Sequence, residues 1–454
     1  MVGYVDDVKP AVSNLQELTV IDNASRLFEQ ASGCRLHRDP STDKCKLLLL
    51  GKWKEIVTQN DIPLPYLKIS PFLDMLGVRL SDKFVAIRSF NGEDIIEIVK
   101  SKINAWKSGK FVPFTSRPWS INHFALSRIL FQTLSIDLRA GDCNKIVSIC
   151  KSWMYQDRLL KPQEEILFRS IPEGGLGMFN VQCKARANLI TSFVQTAVGV
   201  SLKTNGYHEA LFDYHVNGVG VKEPPRPPYY NLNFFTYLQN AVKEGNDINN
   251  WKSKDWYLRI LKSEVTYVPD EISGEPVLKL VRNEFLYPQI NHLNSVSFIR
   301  QKFLPSRLRS QLFLMKHDLL PTKERLYNCH KAESVRCILC NSVDGHGHFL
   351  FCSETISVTQ PTLSAIRSLA HCPSNEQIIN CDFDTNQVSV FVILWLLGTL
   401  SIYMWECRYK EKIPLIAAYV GRLNNDMKIL ASNTSLKSRY SVFKSTMCKF
   451  FHIA

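Results

Sequence analysis

The chain has 454 residues, of which 45% are hydrophobic and 21% charged, a balance that excludes a disordered, low-complexity or fibrous protein. Two to four domains are expected at this length. A formal net charge of +13 favours a polyanionic partner. The 13 cysteines are odd in number and scattered, and Asp6 and Asp7 interrupt the stretch where a signal peptide would be apolar, so an intracellular, reducing setting with mostly free thiols is expected rather than a secreted disulfide scaffold.

In chain order, Tyr4-Val5 and Val8 predict two short strands with Asp6 and Asp7 at the turn between them. Ser13 and Asn14 then stand in capping-box spacing to Gln16 and Glu17, and Leu15, Leu18, Ile21, Ala24, Leu27, Phe28 and Ala31 recur at helical intervals up to Gly33. Strands are predicted at 46–50, ended by Gly51, and around 75–80, completing a hairpin-helix-strand unit of α+β type. From Gly92 the pattern turns helical, with Ile95, Ile96, Val99, Ile103 and Trp106 on one face and Lys100, Lys102, Lys107 and Lys110 on the rest. Further helices are predicted at 118–136, 143–157 and 180–197. Between them, Pro172 to Gly177 reads as a glycine-rich turn; without a GxGxxG or GK[ST] ending it is no phosphate-binding loop. Lys222-Glu223-Pro224-Pro225-Arg226-Pro227-Pro228 reads as a stiff linker and a domain boundary. Aromatic-rich helices follow, then a basic helical stretch from Ser306 to His317. The uncharged run Val388 to Trp405 is at the lower limit for crossing a membrane. With Gly398, Thr399 and Ser401 inside it, a buried core helix suits it better, and no stable membrane association is expected.

Two clusters carry chemistry. Paired carboxylates on a hairpin turn suit the two divalent ions that bridge an attacking hydroxyl and a nucleoside triphosphate, although an aspartate pair is also common turn chemistry. Cys337-Ile338-Leu339-Cys340, then His348 and Cys352, place four ligands within sixteen residues at C-x2-C-x7-H-x3-C spacing, suited to a closed tetrahedral zinc. His346 is an alternative nitrogen ligand, and Cys329 and His330 are near enough in sequence to compete. With all four positions filled, the zinc would be structural and nucleic-acid-positioning rather than hydrolytic.

The succession Tyr4-Val5-Asp6-Asp7, Ala31-Ser32-Gly33-Cys34-Arg35-Leu36-His37, Lys44-Cys45-Lys46, Leu50-Gly51-Lys52-Trp53, Leu76-Gly77-Val78, Ser116-Arg117-Pro118-Trp119-Ser120-Ile121-Asn122 and Gly174-Gly175-Leu176-Gly177-Met178 resembles, in order, the non-LTR (LINE-type) retrotransposon reverse transcriptases from their YxDD box onward. The resemblance covers residues 1–200 and extends through Leu319-Leu320-Pro321-Thr322 and the cysteine-histidine cluster to about 355. There the family's gap from His to the last Cys is usually one residue longer, which keeps His346 and His348 both open. It implies an RNA-directed DNA polymerase whose Asp6 and Asp7 bind catalytic Mg2+, with Zn2+ in the CCHC motif. Lys44 or Lys46 would lie near the nucleotide, and Trp53 and Leu76-Gly77-Val78 near the primer end. It also implies a partial palm over 1–90, a helical thumb over 91–221, the linker 222–229, a helical connector over 230–330, the zinc motif over 331–356 and a C-terminal helical region over 357–454. Lys100, Lys107, Arg117 and Arg128 become candidate phosphate contacts to an RNA template and RNA:DNA hybrid. The strand bearing the third metal-binding carboxylate would precede Tyr4, so the polypeptide is expected not to polymerise DNA by itself. The alternative expectation is a non-catalytic, zinc-containing scaffold that binds RNA or DNA. No endonuclease constellation is visible.

Overall fold

Local sequence signals set the first elements. The computed structural model describes residues 2–4, 7–9, 11–42, 44–75, 77–107, 112–156, 161–198, 206–220, 222–224, 232–269, 276–282 and 304–452. Strands Val2–Tyr4 and Asp7–Lys9 pair antiparallel with Tyr4 opposite Asp7, so Asp7 stands in the second strand rather than at a turn, and Val5 and Asp6 lie outside the described residues. Helix Gln16–Ser32 begins where the Asn14 side chain accepts from Glu17 N at 3.0 Å and the Glu17 carboxylate accepts from Ser13 N at 2.9 Å; the two bonds use different residues at the start, so they secure the helix entry without the closed capping box that the spacing predicts. It ends at Gly33, whose φ of 75° lets its N–H reach Glu29 O at 2.9 Å.

Described residues form four separate two-stranded pairings among many helices, so the chain is mostly helical with short strands, compatible with an α+β class. Instead of a strand over 46–50 there is a two-residue parallel pairing of Lys46–Leu47 with Lys68–Ile69. Residues 72–81 form a tight hairpin, Phe72–Met75 against Val78–Ser81, and Gly77 turns it with φ of 78° rather than lying in a strand. A fourth pairing joins Ser263–Pro269 to Pro276–Arg282, antiparallel.

The chain divides into two compact units. The first comprises Met1–Lys102, Leu126–Val147 and Val181–Ile260; the second comprises Ile103–Ala125, Ser148–Asn180 and Leu261–Ala454. Chain order and spatial grouping therefore differ: the expected thumb-like segment 91–221 is shared between both units, and the division does not fall at the Pro-rich stretch. Of that stretch, 225–229 lies outside the described residues.

In the first unit, Ile95 and Val99 of helix Phe84–Lys107 are fully buried, as are Ile146, Ala187, Ile190 and Leu238; Phe193, Phe234 and Phe235 form a buried edge-to-face aromatic cluster, and the buried Trp256 meets Trp251. Asn188 of helix Val181–Val198 donates to Leu130 O and Thr133 Oγ1, tying that helix to Ser127–Gln132.

The second unit is built on helix Gln387–Tyr409, in which every residue from Ser389 to Met404 is buried. Helices Ser306–Lys316, Ile356–Leu369, Ile416–Ala431 and Lys437–Phe451 pack around it. Its few polar groups find partners inside: Ser401 Oγ accepts from Gln311, and Thr399 Oγ1 donates to Asp426. The apolar run is thus covered on all sides, the core-helix expectation; it is the one helix among the described residues long and apolar enough to cross a membrane.

The glycine-rich turn has a packing reason. A Cβ at Gly175 would collide with the Arg169 carbonyl, and Gly174 and Gly177 adopt φ of 88° and 67°.

Candidate metal centre

The cysteine-histidine cluster stands at one end of the long apolar helix. Helix Ser306–Lys316 is followed by Leu319 and Leu320, both buried, and by Thr322, whose hydroxyl caps helix Lys323–Asn328. A bridge between Arg336 and Val343 then closes a tight loop. Within it Cys337 N donates to Ser342 O at 2.7 Å, Asn341 N donates to Cys337 O at 3.0 Å, and Asn341 takes φ of 60°. Leu339 N points at Cys337 Sγ from 3.5 Å, the wrapping of a sulfur by amides that a C-x2-C turn provides.

The second half of the site comes from one turn of helix, His348–Phe351, entered through Gly347 at φ of 76° and left at Cys352. A Cβ on Gly347 would strike Ile379, so glycine is required there for space as well as for conformation. The turn carries His348 inward and buries Phe349 and Leu350 beneath it.

The donor atoms of Cys337, Cys340, His348 and Cys352 all lie within 4.8 Å of one another, and Cys340 Sγ is 3.2 Å from His348 Nε2. Two sulfurs on one tetrahedral zinc would stand roughly 3.8 Å apart, so the spacing is that of a metal-sized cage. Cys337 and Cys352 are buried, while Cys340 and His348 are half-buried. The group can hold a metal ion such as zinc, and with four donors it offers no open position for a substrate.

The competing ligands are resolved by geometry. His346 Nε2 is engaged with Met315 O at 2.7 Å and faces away from the sulfurs' cage, leaving His348 as the nitrogen donor. Cys329 and His330 are exposed at the end of helix Lys323–Asn328 and do not join the group.

Electrostatics differ among the three thiols. Burial opposes ionisation of Cys337, yet the N–H groups of Cys340 and Leu339, with His348 and Arg408, hold it below the ordinary thiol value. Burial likewise opposes ionisation of Cys340, and Ser342 keeps it low through its N–H and hydroxyl. For Cys352 burial prevails and pushes the thiol up to about 12, Cys340 adding to the rise. Metal binding must therefore displace the Cys352 proton.

Other expected site residues are dispersed. Asp6 lies outside the described residues, and of Asp7 only the backbone is described, as it is of Arg128. Lys100 is exposed and paired with Glu97 at 3.2 Å, and Lys107 is exposed at the end of the same helix. Arg117 differs from a surface phosphate contact: it is 4% exposed, and its guanidinium donates to Val112 O at 3.1 Å, Trp153 O at 3.0 Å and Met154 O at 2.9 Å. A cation that satisfies the last carbonyls of helix Ala140–Met154 is withdrawn from solvent and from any duplex.

One buried pair beside the site had no sequence signal. Arg408 and Asp344, 64 positions apart, form a buried ion pair at 2.6 Å beside Cys337. Only the fold brings them together. No protein-family model matches this chain, and neither does any curated protein.

Proposed function

We propose that the chain is part of a non-LTR retrotransposon reverse transcriptase and binds RNA:DNA hybrid, with a zinc-stabilised helical unit built from its C-terminal segments. The observation that carries this reading is the order of the motifs: Tyr4-Val5-Asp6-Asp7 first, a four-donor cysteine-histidine cage last, and the thumb-like stretches between. The net charge of +13 supports a polyanionic ligand. Three thiolates and one imidazole suit zinc over hard oxygen-seeking cations, and Cys337, Cys340, His348 and Cys352 would hold it. Bound there, the ion ties the loop and the short helix together and takes no part in chemistry.

Strands Val2–Tyr4 and Asp7–Lys9 pair with each other and with no third strand among the described residues. A two-metal centre draws its carboxylates from more than one strand, so no catalytic step is assigned to Asp6 and Asp7. A non-catalytic zinc-containing nucleic-acid-binding scaffold is the second reading, favoured by the closed coordination set.

Titration of the full chain with a labelled RNA:DNA hybrid, with and without magnesium, tests the proposal. Binding is expected to weaken about a hundredfold between about 50 and about 200 mM salt if some four phosphates are contacted. Loss of magnesium-dependent tightening in an Asp6→Asn, Asp7→Asn double variant would support polymerase ancestry, and its absence the scaffold. No salt-sensitive binding to hybrid or single strand would defeat both.

A further inference from the structure

A cage of three thiolates and a neutral imidazole around a dication carries a net charge of about −1, which a buried site must neutralise. A cation that meets one of the sulfurs is Arg408, in the last turn of the long apolar helix Gln387–Tyr409 and 71 positions from Cys337. Its Nη2 donates to Cys337 Sγ at 3.5 Å and to Asp344 Oδ1 at 2.6 Å. Both ion-pair side chains are nearly inaccessible, at 9% exposure for Arg408 and 3% for Asp344.

Arg408 is held from several sides. The other Asp344 oxygen accepts from Lys323 N at 3.0 Å, at the start of the helix that precedes the cysteine loop. The Arg408 guanidinium also lies 5.9 Å from the Trp405 ring, and Trp405 meets Phe349 edge-on at 6.4 Å, one residue after His348. Its Nη1 is buried and makes no hydrogen bond among the described residues. A guanidinium this constrained is fixed beside the sulfur at little further entropic cost. A buried ion pair built for stability alone gains little over apolar packing, whereas a donor aimed at a ligand sulfur lowers the charge on the metal centre.

We infer that Arg408 is the outer positioning residue of the metal centre, neutralising the thiolate cage and orienting Cys337, with Asp344 orienting Arg408 in turn. The inference rests on the metal reading of the Cys337, Cys340, His348 and Cys352 cluster. It makes metal occupancy and the C-terminal end of the apolar helix interdependent.

The test compares the full-length protein with Arg408→Met, which removes the charge at similar length, and Arg408→Lys, which keeps the charge without the planar fork. Zinc affinity is read by competition with a chromogenic chelator, and the cobalt-loaded forms are read by their sulfur-to-cobalt charge-transfer absorption. Arg408→Met is expected to lower zinc affinity about 10-fold to 100-fold and move the cobalt band to lower energy, because a thiolate that has lost its donor is more electron-rich. Arg408→Lys is expected to fall between the two; if Arg408→Met does not fold, the displaced cobalt band of Arg408→Lys carries the test. Zinc affinity and a cobalt spectrum unchanged from wild type in a folded variant would overturn the inference while leaving the metal site intact. Failure of the wild-type chain to take up one zinc or cobalt ion would overturn the metal reading itself, a separable result because it needs no variant.

Discussion

At the level of single residues, the most tightly determined group outside the metal cluster is Asp22. It is buried on helix Gln16–Ser32, where it accepts from Tyr66 Oη at 2.6 Å, Arg38 Nε at 2.7 Å and Arg26 Nε at 2.9 Å. Burial alone would raise its pKa, but the hydrogen bonds from Tyr66, Arg38 and Arg26 outweigh it and leave the carboxyl at about 2. Because the folded value lies below the unfolded value of 3.8, the carboxylate stabilises the fold above about pH 4 and loses that contribution as pH falls towards 2. A shift of this size is worth roughly 2 kcal/mol. Asp22→Asn should therefore be less stable than wild type by about that amount at neutral pH, and urea unfolding at matched pH should show the gap narrowing between about pH 4 and pH 2. An unchanging gap would mean that the network contributes through packing rather than charge. Arg38, the other half of this network, sits just beyond the Gly33 to His37 motif, so the motif's local role is to bring the arginine back over its own helix, where it also binds Glu29 at 2.6 Å. Arg117 teaches the opposite lesson about reading cations from sequence. Its neighbours in the chain identify the stretch, but only its distance from the Trp153 and Met154 carbonyls reveals that it closes a helix end rather than gripping phosphate.

Among elements, helix signals with a repeating apolar face were readable because burial imposes the 3.6-residue period. Helix Gln16–Ser32 and the Ile95, Val99 and Ile103 face follow their spacing, although helix Phe84–Lys107 starts eight residues before the Gly92 at which the periodic pattern was first visible. The strand at 46–50 did not survive as such: its apolar run makes only a two-residue pairing, since a short run without a partner of matching length cannot build a ladder. The apolar run at 388–405 has a composition that membrane spans and central core helices share, and Gly398, Thr399 and Ser401 within it favour a core helix; in the structure most of it is buried among the surrounding helices. Gly398 is a close point of that packing, where an added Cβ would stand 3.2 Å from Leu308 Cβ on the neighbouring helix. Gly398→Leu should force those helices apart and cost about 1 to 3 kcal/mol by overpacking, read as a lower unfolding midpoint for the C-terminal unit. A midpoint at or above wild type would show that the helices have room to spare.

For the whole molecule, the charge, the cysteine spacing and the motif order were legible before any fold, and the C-x2-C-x7-H-x3-C pattern converges in space as its spacing requires. Grouping of the chain into units was not legible, because segments 103–125 and 148–180 join a unit whose remainder begins at Leu261, and long-range contacts leave no mark on local periodicity. The choice of His348 over His346, and the placing of Arg408 beside Cys337, were equally beyond the sequence, since both depend on which element faces the cage. The metal centre is where the account can be tested most directly. Native mass spectrometry of the purified full chain, before and after a chelator, should show one zinc per molecule, with the ion absent from a Cys337→Ser, Cys340→Ser variant and the helical C-terminal unit melting at lower temperature without it. A wild-type chain carrying no metal, or a double variant that keeps its zinc, would contradict the account.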